Sequence, residues 1–249
     1  MNNFNRFQGK VAFIQGGSRG IGAAIVERLA LEGASVAFTF VSSHSTAEAF
    51  AEKLRMKGSK VIAIKADSTN PEDIRAAMSQ TITQFGVLDI VVNNSGILIW
   101  NNIENLTIDD WEKTVNTNVR SVFVASHEAA KYMNNNGRII NISSTNAQRI
   151  PFAGGAIYGM SKSALTGLVK GLSRDLGHRG ITVNNILPGP VNTDMNPDNG
   201  DTSEPVKAIG ALGRYGQVEE IASLVAFVAS AEASYLTGAD LMIDGGFSA

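Results

Sequence analysis

Lys10–Gln15 runs directly into Gly16-Gly17-Ser18-Arg19-Gly20-Ile21-Gly22, and this stretch decides the fold. The apolar run before the glycines predicts a buried strand, and the amphipathic Ile21–Glu32 predicts a helix directly after them. Glycines between a strand and a helix permit a tight turn, close approach of a diphosphate to the backbone and close helix–strand packing. Amides at the helix N-terminus then attract the phosphate charge. This context favours a dinucleotide-binding turn over a purely structural one.

Short apolar runs alternate with longer amphipathic segments along the whole chain. This alternation predicts an α/β protein with a doubly wound, seven-stranded parallel sheet and helices on both faces. One domain spanning residues 1–249 is expected, because no repeat or linker interrupts the pattern. The predicted strands are Lys10–Gln15, Ser35–Phe40, Lys60–Ile64, Leu88–Val92, Arg138–Ile142, Ile181–Ile186 and Leu241–Ile243. The predicted helices are Ile21–Glu32, Thr46–Lys57, Pro71–Phe85, Asp110–Met133, Tyr158–Leu176 and Val218–Ala229.

Composition narrows the function classes. The chain has 249 residues, 44% apolar and 18% charged, as in an ordinary globular protein. A net charge of −2 without a basic run argues against nucleic acid as a partner. The absence of cysteine excludes disulfides, thiolate nucleophiles and cysteine-ligated zinc. The histidines His44, His127 and His178 are scattered without metal-ligand spacing, so no metal site is predicted.

Hydropathy argues against a targeting or membrane segment. The first ten residues lack the apolar core of a signal peptide. The longest apolar stretch, Ile221–Ala233, is too short to span a bilayer and is typical of a core helix. A cytoplasmic protein without a membrane partner is therefore expected.

Residues 188–216 depart from the alternating pattern. The segment is rich in Pro, Gly, Asn and Asp, and its one helical candidate is the short Glu204–Gly210. A long irregular excursion inside a compact domain is often a functional loop. We predict a substrate-binding lid here, with a mobile surface connection as the alternative.

Tyr158 and Lys162 lie four residues apart in a predicted helix. At this spacing the two side chains share one helix face. A nearby cation stabilises a phenolate and lowers the pKa of tyrosine from about 10 towards the range of general acid–base catalysis. Spacing alone is weak support, because such pairs are common on exposed helices.

The spacing of the glycine turn, Gly-x-x-x-Gly-x-Gly, resembles that of the short-chain dehydrogenase/reductase family. Other motifs similar to those of the family follow in order over nearly the whole chain, from about Gly9 to Gly246. They are Asn93-Asn94-Ser95-Gly96, Asn118, Asn141-Ile142-Ser143-Ser144, Tyr158-x-x-x-Lys162, Pro188-Gly189-x-x-x-Thr193 and Asp244-Gly245-Gly246. Two departures are Gln15, where the family usually has threonine, and Ser95, where it usually has alanine.

The resemblance implies a Rossmann fold and a catalytic set of Asn118, Ser144, Tyr158 and Lys162. Tyr158 is expected to exchange the proton, Lys162 to lower its pKa and bind the nicotinamide ribose, and Ser144 to hold the carbonyl oxygen. Asn118 is expected to support a water that relays protons from Lys162. Ser143 remains the alternative to Ser144, since only one of two successive strand residues faces the site. Ser161 is expected to have a packing role.

The resemblance also implies the binding residues. Those for the cofactor are Gly16, Ser18, Arg19, Gly20, Ile21, Gly22, Phe40, Ser42, Ser43, Asp67, Ser68, Asn94, Ser95, Gly96, Tyr158, Lys162, Pro188, Gly189, Val191 and Thr193. Those for the substrate are Ser144, Asn146, Gln148, Phe152, Pro190 and Met195. For Asp67, a turn cap is the alternative role.

The end of the second predicted strand favours NADP(H) over NAD(H). An NAD enzyme commonly carries an acid here, whereas this chain has Phe40 followed by Val41, Ser42, Ser43 and His44. Without a carboxylate to repel it, a 2′-phosphate could pair with Arg19 and accept hydrogen bonds from the serines or His44. Two points stay open: Arg19 could be a solvated surface cation, and Val41 stands where NADP enzymes often have arginine.

The resulting functional prediction is NADP(H)-dependent, reversible reduction of a small-molecule ketone to a secondary alcohol. The alternatives are a 3-oxoacyl-acyl-carrier-protein reductase and a catalytically inactive nucleotide-binding regulator. Arg120, Arg149 and Arg174 are too dispersed to form an obvious patch for an acidic carrier protein. The resemblance further implies a homotetramer, or a dimer, with the helices Asp110–Met133 and Tyr158–Leu176 at one interface and the C-terminal segment at another.

Overall fold

A computed structural model describes residues 5–200 and 202–249. It contains one sheet of seven parallel strands in the order β3-β2-β1-β4-β5-β6-β7. The strands are β1 Val11–Gln15, β2 Ser35–Phe40, β3 Val61–Lys65, β4 Ile90–Asn93, β5 Arg138–Ile142, β6 Thr182–Pro188 and β7 Asp240–Ile243. The α-helices are α1 Gly20–Leu31, α2 His44–Met56, α3 Pro71–Phe85, α4 Ile108–Val115, α5 Ser121–Tyr132, α6 Ala156–Leu176, α7 Ser203–Ile209 and α8 Val218–Ala229.

Helices cover both faces of the sheet, as the sequence predicts. Alternate side chains of β1 point to opposite faces. Ile14 belongs to a core shared with α1, α2 and α8, whereas Phe13 belongs to a core shared with α3, α5 and α6. Burying an Ile or Phe side chain of this kind contributes about 1.5–3 kcal/mol. The doubly wound fold is confirmed.

Most predicted elements agree with the structure to within two residues, because their ends carry local signals. The α3 helix begins where predicted: Asn70 accepts a hydrogen bond from the Glu72 amide, and Pro71 occupies the first turn. The largest difference lies in the predicted helix Asp110–Met133. It divides into α4 and α5 around a π-helical turn, Asn116–Arg120. The α4 helix also begins earlier than predicted, at a capping box between Thr107 and Asp110.

The strand order reverses between β1 and its two neighbours, β2 and β4. Ligands of open α/β sheets bind at such a point, outside the carboxyl ends of the strands. The loops that follow the strands at this edge carry most of the predicted site residues, and the others lie on helical segments, Asn118 in the turn Asn116–Arg120 and Tyr158 and Lys162 on α6. Among the described residues, no helix is long and apolar enough to span a bilayer.

The predicted lid, residues 188–216, is closed at its base by a parallel bridge between Val191 and Gly216. The amide of Asn192 donates to the Gly216 carbonyl, and the Gly216 amide donates to the Pro190 carbonyl. Its helix, α7, spans Ser203–Ile209 rather than Glu204–Gly210. The two ends of the segment therefore lie side by side, next to the end of β6.

Candidate active site

The glycine turn has a backbone that side chains would block. Gly16 and Gly20 adopt positive φ angles of 70° and 52°, which favour glycine. A Cβ on Gly22 would lie 2.1 Å from the Gly16 carbonyl oxygen and 2.6 Å from Nδ2 of Asn94. That Asn94 amide donates to the same Gly16 carbonyl at 2.8 Å and ties the turn to β4. The turn thus has the close backbone approaches expected of a diphosphate cradle.

A hydroxyl contacts the turn although Gln15 replaces the usual threonine. Thr39 on β2 accepts a hydrogen bond from the Gly16 amide at 2.9 Å. Gln15 itself is buried, and both of its amide atoms lack a hydrogen-bond partner among the described residues. Its register partner on β4, Asn93, has a similarly unpaired Oδ1.

Asn93 begins a row of polar side chains that crosses the sheet beneath the site. It donates to Oδ1 of Asn141 at 2.8 Å, Asn141 to Asn185 at 3.0 Å, and Asn185 to Asp240 at 2.7 Å. All four are register partners on neighbouring strands. Thr166 on α6 completes the row with a 2.6 Å bond to Asp240. The row joins β4, β5, β6 and β7 to the helix that carries Tyr158. Each buried polar group of the row that lost its partner would cost about 1–3 kcal/mol.

Ser144 and Tyr158 meet at the end of β5. The Ser144 hydroxyl hydrogen-bonds to the Tyr158 phenol and lowers its pKa, but burial of the phenol outweighs this and raises the pKa. Ser144 Oγ also accepts from the Asn146 amide at 3.1 Å. The alternative, Ser143, points into the fold and donates to the Lys162 carbonyl at 3.1 Å. Of the two serines, Ser144 is therefore the one whose hydroxyl contacts the phenol.

Lys162 lies buried behind the tyrosine. Its ammonium is 5.8 Å from the centre of the Tyr158 ring and donates to the Ile142 carbonyl at 3.0 Å. Burial lowers the pKa of Lys162 to about 8. A Cβ on Gly96 would come within 3.5 Å of the ammonium, so that glycine leaves space directly beside it. In the protein alone, burial rather than the nearby lysine dominates the pKa of Tyr158.

Asn118 sits within the π-helical turn, a feature often found at functional sites. Its Oδ1 accepts from the Ile97 amide at 2.9 Å, and its Nδ2 donates to the Ile97 carbonyl and to Ser161 Oγ, both at 3.0 Å. Ser161 in turn donates to the Tyr158 carbonyl at 2.7 Å. Ser161, expected only to pack, therefore links Asn118 to the helix of Tyr158.

The adenosine end of the predicted site is formed by loops after β3 and β4. Ser68 donates to Ser95 at 2.7 Å, and a Cβ on Gly16 would lie 2.7 Å from Ser95 Oγ. The serine that replaces alanine therefore borders the glycine turn. Asp67 accepts two bonds from Thr69, as a turn-capping residue does.

The loop after β6 borders the opposite side of the turn. Thr193 approaches Gly20, with its methyl group 3.5 Å from the position of a Cβ on that glycine. Pro188 ends β6, and the Gly189 amide donates to Ile243. A side chain on Gly189 would strike the Asp244 backbone. Val191 is buried in the core, so a ligand could reach only its backbone.

The end of β2, where a 2′-phosphate is predicted to bind, carries Phe40 in place of an acid. Phe40 ends β2 with its ring buried against His44, at 5.6 Å between ring centroids. Ser42 and Ser43 are exposed after it, and Arg19 is exposed and forms no ion pair with any described residue. Lys65, the exposed register partner of Phe40, is a cation that the sequence reasoning missed.

The predicted substrate residues lie on loops rather than in one tight cluster. Gln148, Phe152 and Met195 are exposed, and Asn146 and Pro190 are partly buried. The sequence reasoning missed Trp100, whose ring lies 6.4 Å from that of Tyr158. Within residues 5–200 and 202–249, no group of three or more His, Asp or Glu side chains could hold a metal.

Known proteins resemble the chain over nearly its full length. The family described as enoyl-(acyl carrier protein) reductase, adh_short_C2, matches residues 16–248. A relative from Escherichia coli (strain K12), named cyclic-di-GMP-binding biofilm dispersal mediator protein, is 43% identical over 243 residues. The match covers 98% of this chain and 99% of that protein.

Solved structures of other proteins are also similar to this chain over nearly its full length. A short-chain dehydrogenase/reductase from Serratia marcescens BCRC 10948 is 58% identical with a TM-score of 0.97, covering 98% of this chain and 100% of that one. A blue fluorescent protein from a metagenomic library, solved in complex with NADPH, is 50% identical with a TM-score of 0.97 and the same coverage. This chain therefore belongs to the short-chain dehydrogenase/reductase family of NAD(P)-dependent oxidoreductases.

Proposed function

We propose that the protein reduces a small-molecule ketone to a secondary alcohol with NADPH, reversibly. The observation that carries this proposal is the contact between the Ser144 hydroxyl and the Tyr158 phenol, with the Lys162 ammonium behind the same ring. Two hydroxyls side by side can both reach one carbonyl oxygen. Such a pair suits proton transfer to an oxygen that gains negative charge.

The glycine turn and Gly96 fit the cofactor, because a Cβ on Gly16, Gly22 or Gly96 would meet backbone atoms and polar side-chain atoms rather than apolar side chains. When bound, the cofactor supplies the hydride. Ser144 holds the carbonyl oxygen, and Tyr158 donates its proton to that oxygen. The raised pKa of Tyr158 keeps the phenol protonated at neutral pH, as a proton donor must be.

Lys162 and Asn118 support the tyrosine. The Lys162 ammonium stabilises the phenolate that remains after proton transfer. Asn118 uses both amide hydrogens to hold Ile97 and Ser161. The water-holding role predicted for Asn118 would then fall to its backbone carbonyl rather than to its side chain.

NADP(H) is favoured over NAD(H) because β2 ends on Phe40 rather than on an acid, and two exposed cations are available nearby. Arg19 and Lys65 are both exposed there, and the buried Phe40 replaces the usual carboxylate. A guanidinium pairs well with a phosphate in two-point geometry. The similar metagenomic protein that binds NADPH supports this preference.

A free small molecule is favoured over an acyl-carrier substrate. Of the three arginines considered for carrier docking, Arg120 donates to the Thr69 carbonyl and Arg149 donates to the carbonyls of Phe247 and Ala249. Two of the three are thus tied to the backbone. Arginines held in this way are poorly placed to form the concentrated basic patch that an acidic carrier helix would need.

A regulatory nucleotide-binding role is the second candidate. The name of the E. coli relative, which states that it binds cyclic-di-GMP, favours it. A binder without catalysis would not need the contact between Ser144 and Tyr158. Cyclic-di-GMP binding without any ketone-dependent cofactor oxidation would support this candidate instead.

A homotetramer remains our proposal for the assembly. Ile108, Trp111 and Phe123 on α4 and α5 are exposed, as are Phe227 on α8 and Met242 on β7. Apolar residues at these two places could bury themselves against other subunits. Sedimentation of the purified protein gives the oligomeric state directly.

The segment 188–216 remains our proposed lid over the substrate.

The function is tested by following oxidation of NADPH and NADH with a panel of ketones and 3-oxoacyl thioesters. We expect ketone-dependent oxidation with a higher kcat/KM for NADPH, because a 2′-phosphate would pair with Arg19. Equal use of both cofactors would contradict the cofactor assignment. Activity confined to carrier-bound thioesters would support the acyl-carrier alternative, and no activity with any carbonyl would support the regulatory one.

A further inference from the structure

We propose that Trp100 is a specificity-determining residue that selects ketones bearing a flat aromatic substituent. This inference rests on the proposed ketone reduction and adds the substrate class. Trp100 lies on the loop after β4, outside the motifs that carry the family resemblance. Its ring is tilted by 50° to that of Tyr158, with the centroids 6.4 Å apart.

The indole is held in a fixed orientation. Its Nε1 donates to the Ala153 carbonyl at 2.7 Å, and the neighbouring Asn101 amide donates to the Gly154 carbonyl at 3.0 Å. These bonds join the loop after β4 to the loop before α6, four and five residues before Tyr158. A ring that is already oriented by a hydrogen bond loses little conformational freedom when a ligand packs on it.

Glycines allow the indole to lie against the backbone. A Cβ on Gly154 or Gly155 would come within 2.7 Å of Trp100 atoms. Ile150 approaches the same position on Gly155 at 2.7 Å and also covers Gly159, the residue after Tyr158. We call Trp100 and Ile150 the apolar wall of the site.

The apolar wall is only partly covered by the protein itself. Trp100 is 38% exposed and Ile150 is 43% exposed. An aromatic ring of the substrate would bury this surface and could stack at an offset or edge-to-face on the indole. A small aliphatic ketone would reach Ser144 and Tyr158 without covering the wall. The wall should therefore favour aryl ketones over small aliphatic ones.

The test compares acetophenone with 2-butanone as substrates of the NADPH-loaded protein. Trp100→Ala should lower kcat/KM for acetophenone about tenfold or more, mainly by raising KM, and change that for 2-butanone less than about threefold. Trp100→Phe should restore most of the loss, because it keeps a flat ring without the Ala153 bond. Ile103→Ala is a matched control, since Ile103 is a well-exposed apolar residue further along the same loop.

Three outcomes would overturn the proposal. Acetophenone kinetics unaffected by Trp100→Ala would show that the wall is not used. An equal loss for both ketones would show that Trp100 only anchors the loop. A wild-type protein that reduces neither ketone would contradict the proposed function itself, and this inference with it.

Fluorescence gives a second readout that does not need turnover. The chain has two tryptophans, so a Trp111→Phe protein reports on Trp100 alone. Acetophenone added with NADP⁺ should quench this emission, whereas 2-butanone should leave it nearly unchanged. Equal quenching by the two ketones, or none by either, would contradict stacking on the indole.

Discussion

Tyr158→Phe is expected to lower kcat for ketone reduction by about 10²–10⁴-fold, the usual contribution of a general acid. The substitution removes the hydroxyl that contacts Ser144 but keeps the ring beside Trp100 and in front of Lys162. Substrate and cofactor should therefore still bind, while the alkoxide loses its proton donor. The change is measured by steady-state oxidation of NADPH, and NADPH affinity by titration calorimetry.

Tyr132→Phe is the matched control for that variant. Tyr132 ends α5 and is about half exposed, away from the strand ends that form the site. It should leave both kcat and NADPH affinity unchanged. Undiminished turnover in Tyr158→Phe would refute the proposed proton donor, whereas loss of NADPH binding would show that the phenol acts on the cofactor instead.

Gly22→Ala is expected to have the second-largest effect, through the cofactor cradle. The added Cβ would lie 2.1 Å from the Gly16 carbonyl oxygen and 2.6 Å from Asn94 Nδ2. Because both neighbours are held by their own hydrogen bond, the turn must shift as a unit. Overpacking of this kind typically costs about 1–3 kcal/mol. We expect a lower free energy of unfolding and an NADPH Kd raised by about tenfold or more.

Gly177→Ala is the control variant. It distinguishes an effect on the glycine turn from a general intolerance of alanine in place of glycine. A Cβ there meets nothing within 4 Å, and the residue has an ordinary φ of −59°. This control should bind NADPH like the wild type, as followed by calorimetry and chemical denaturation. Wild-type affinity in Gly22→Ala would contradict the placement of the diphosphate at this turn.

The parts of the fold set by local chemistry could be predicted from the sequence. The strand–turn–helix around Gly16–Gly22 follows from glycine spacing next to an apolar run, and α3 follows from Asn70 and Pro71 at its start. The Tyr158–Lys162 pair follows from helical periodicity. In each case, neighbours in sequence determine the geometry.

Features that depend on distant contacts could not be predicted. The π-helical turn at Asn118 has no local sequence signal, and Asn118 itself bonds to Ile97 and Ser161, which are distant in sequence. The row from Asn93 to Asp240 requires the register of four strands, although asparagines inside otherwise apolar strands could have hinted at it. Trp100 acquires its position from glycines more than fifty residues later.

We expect a hydride to pass from NADPH to the ketone carbon while Tyr158 supplies the proton. This transfer is tested most directly with NADPH that carries deuterium at the transferable position of the nicotinamide, by mass spectrometry of the alcohol formed. Because the hydride goes to the carbonyl carbon, we expect one deuterium on the carbinol carbon of every product molecule. An alcohol without deuterium, or cofactor oxidation without any alcohol, would contradict it.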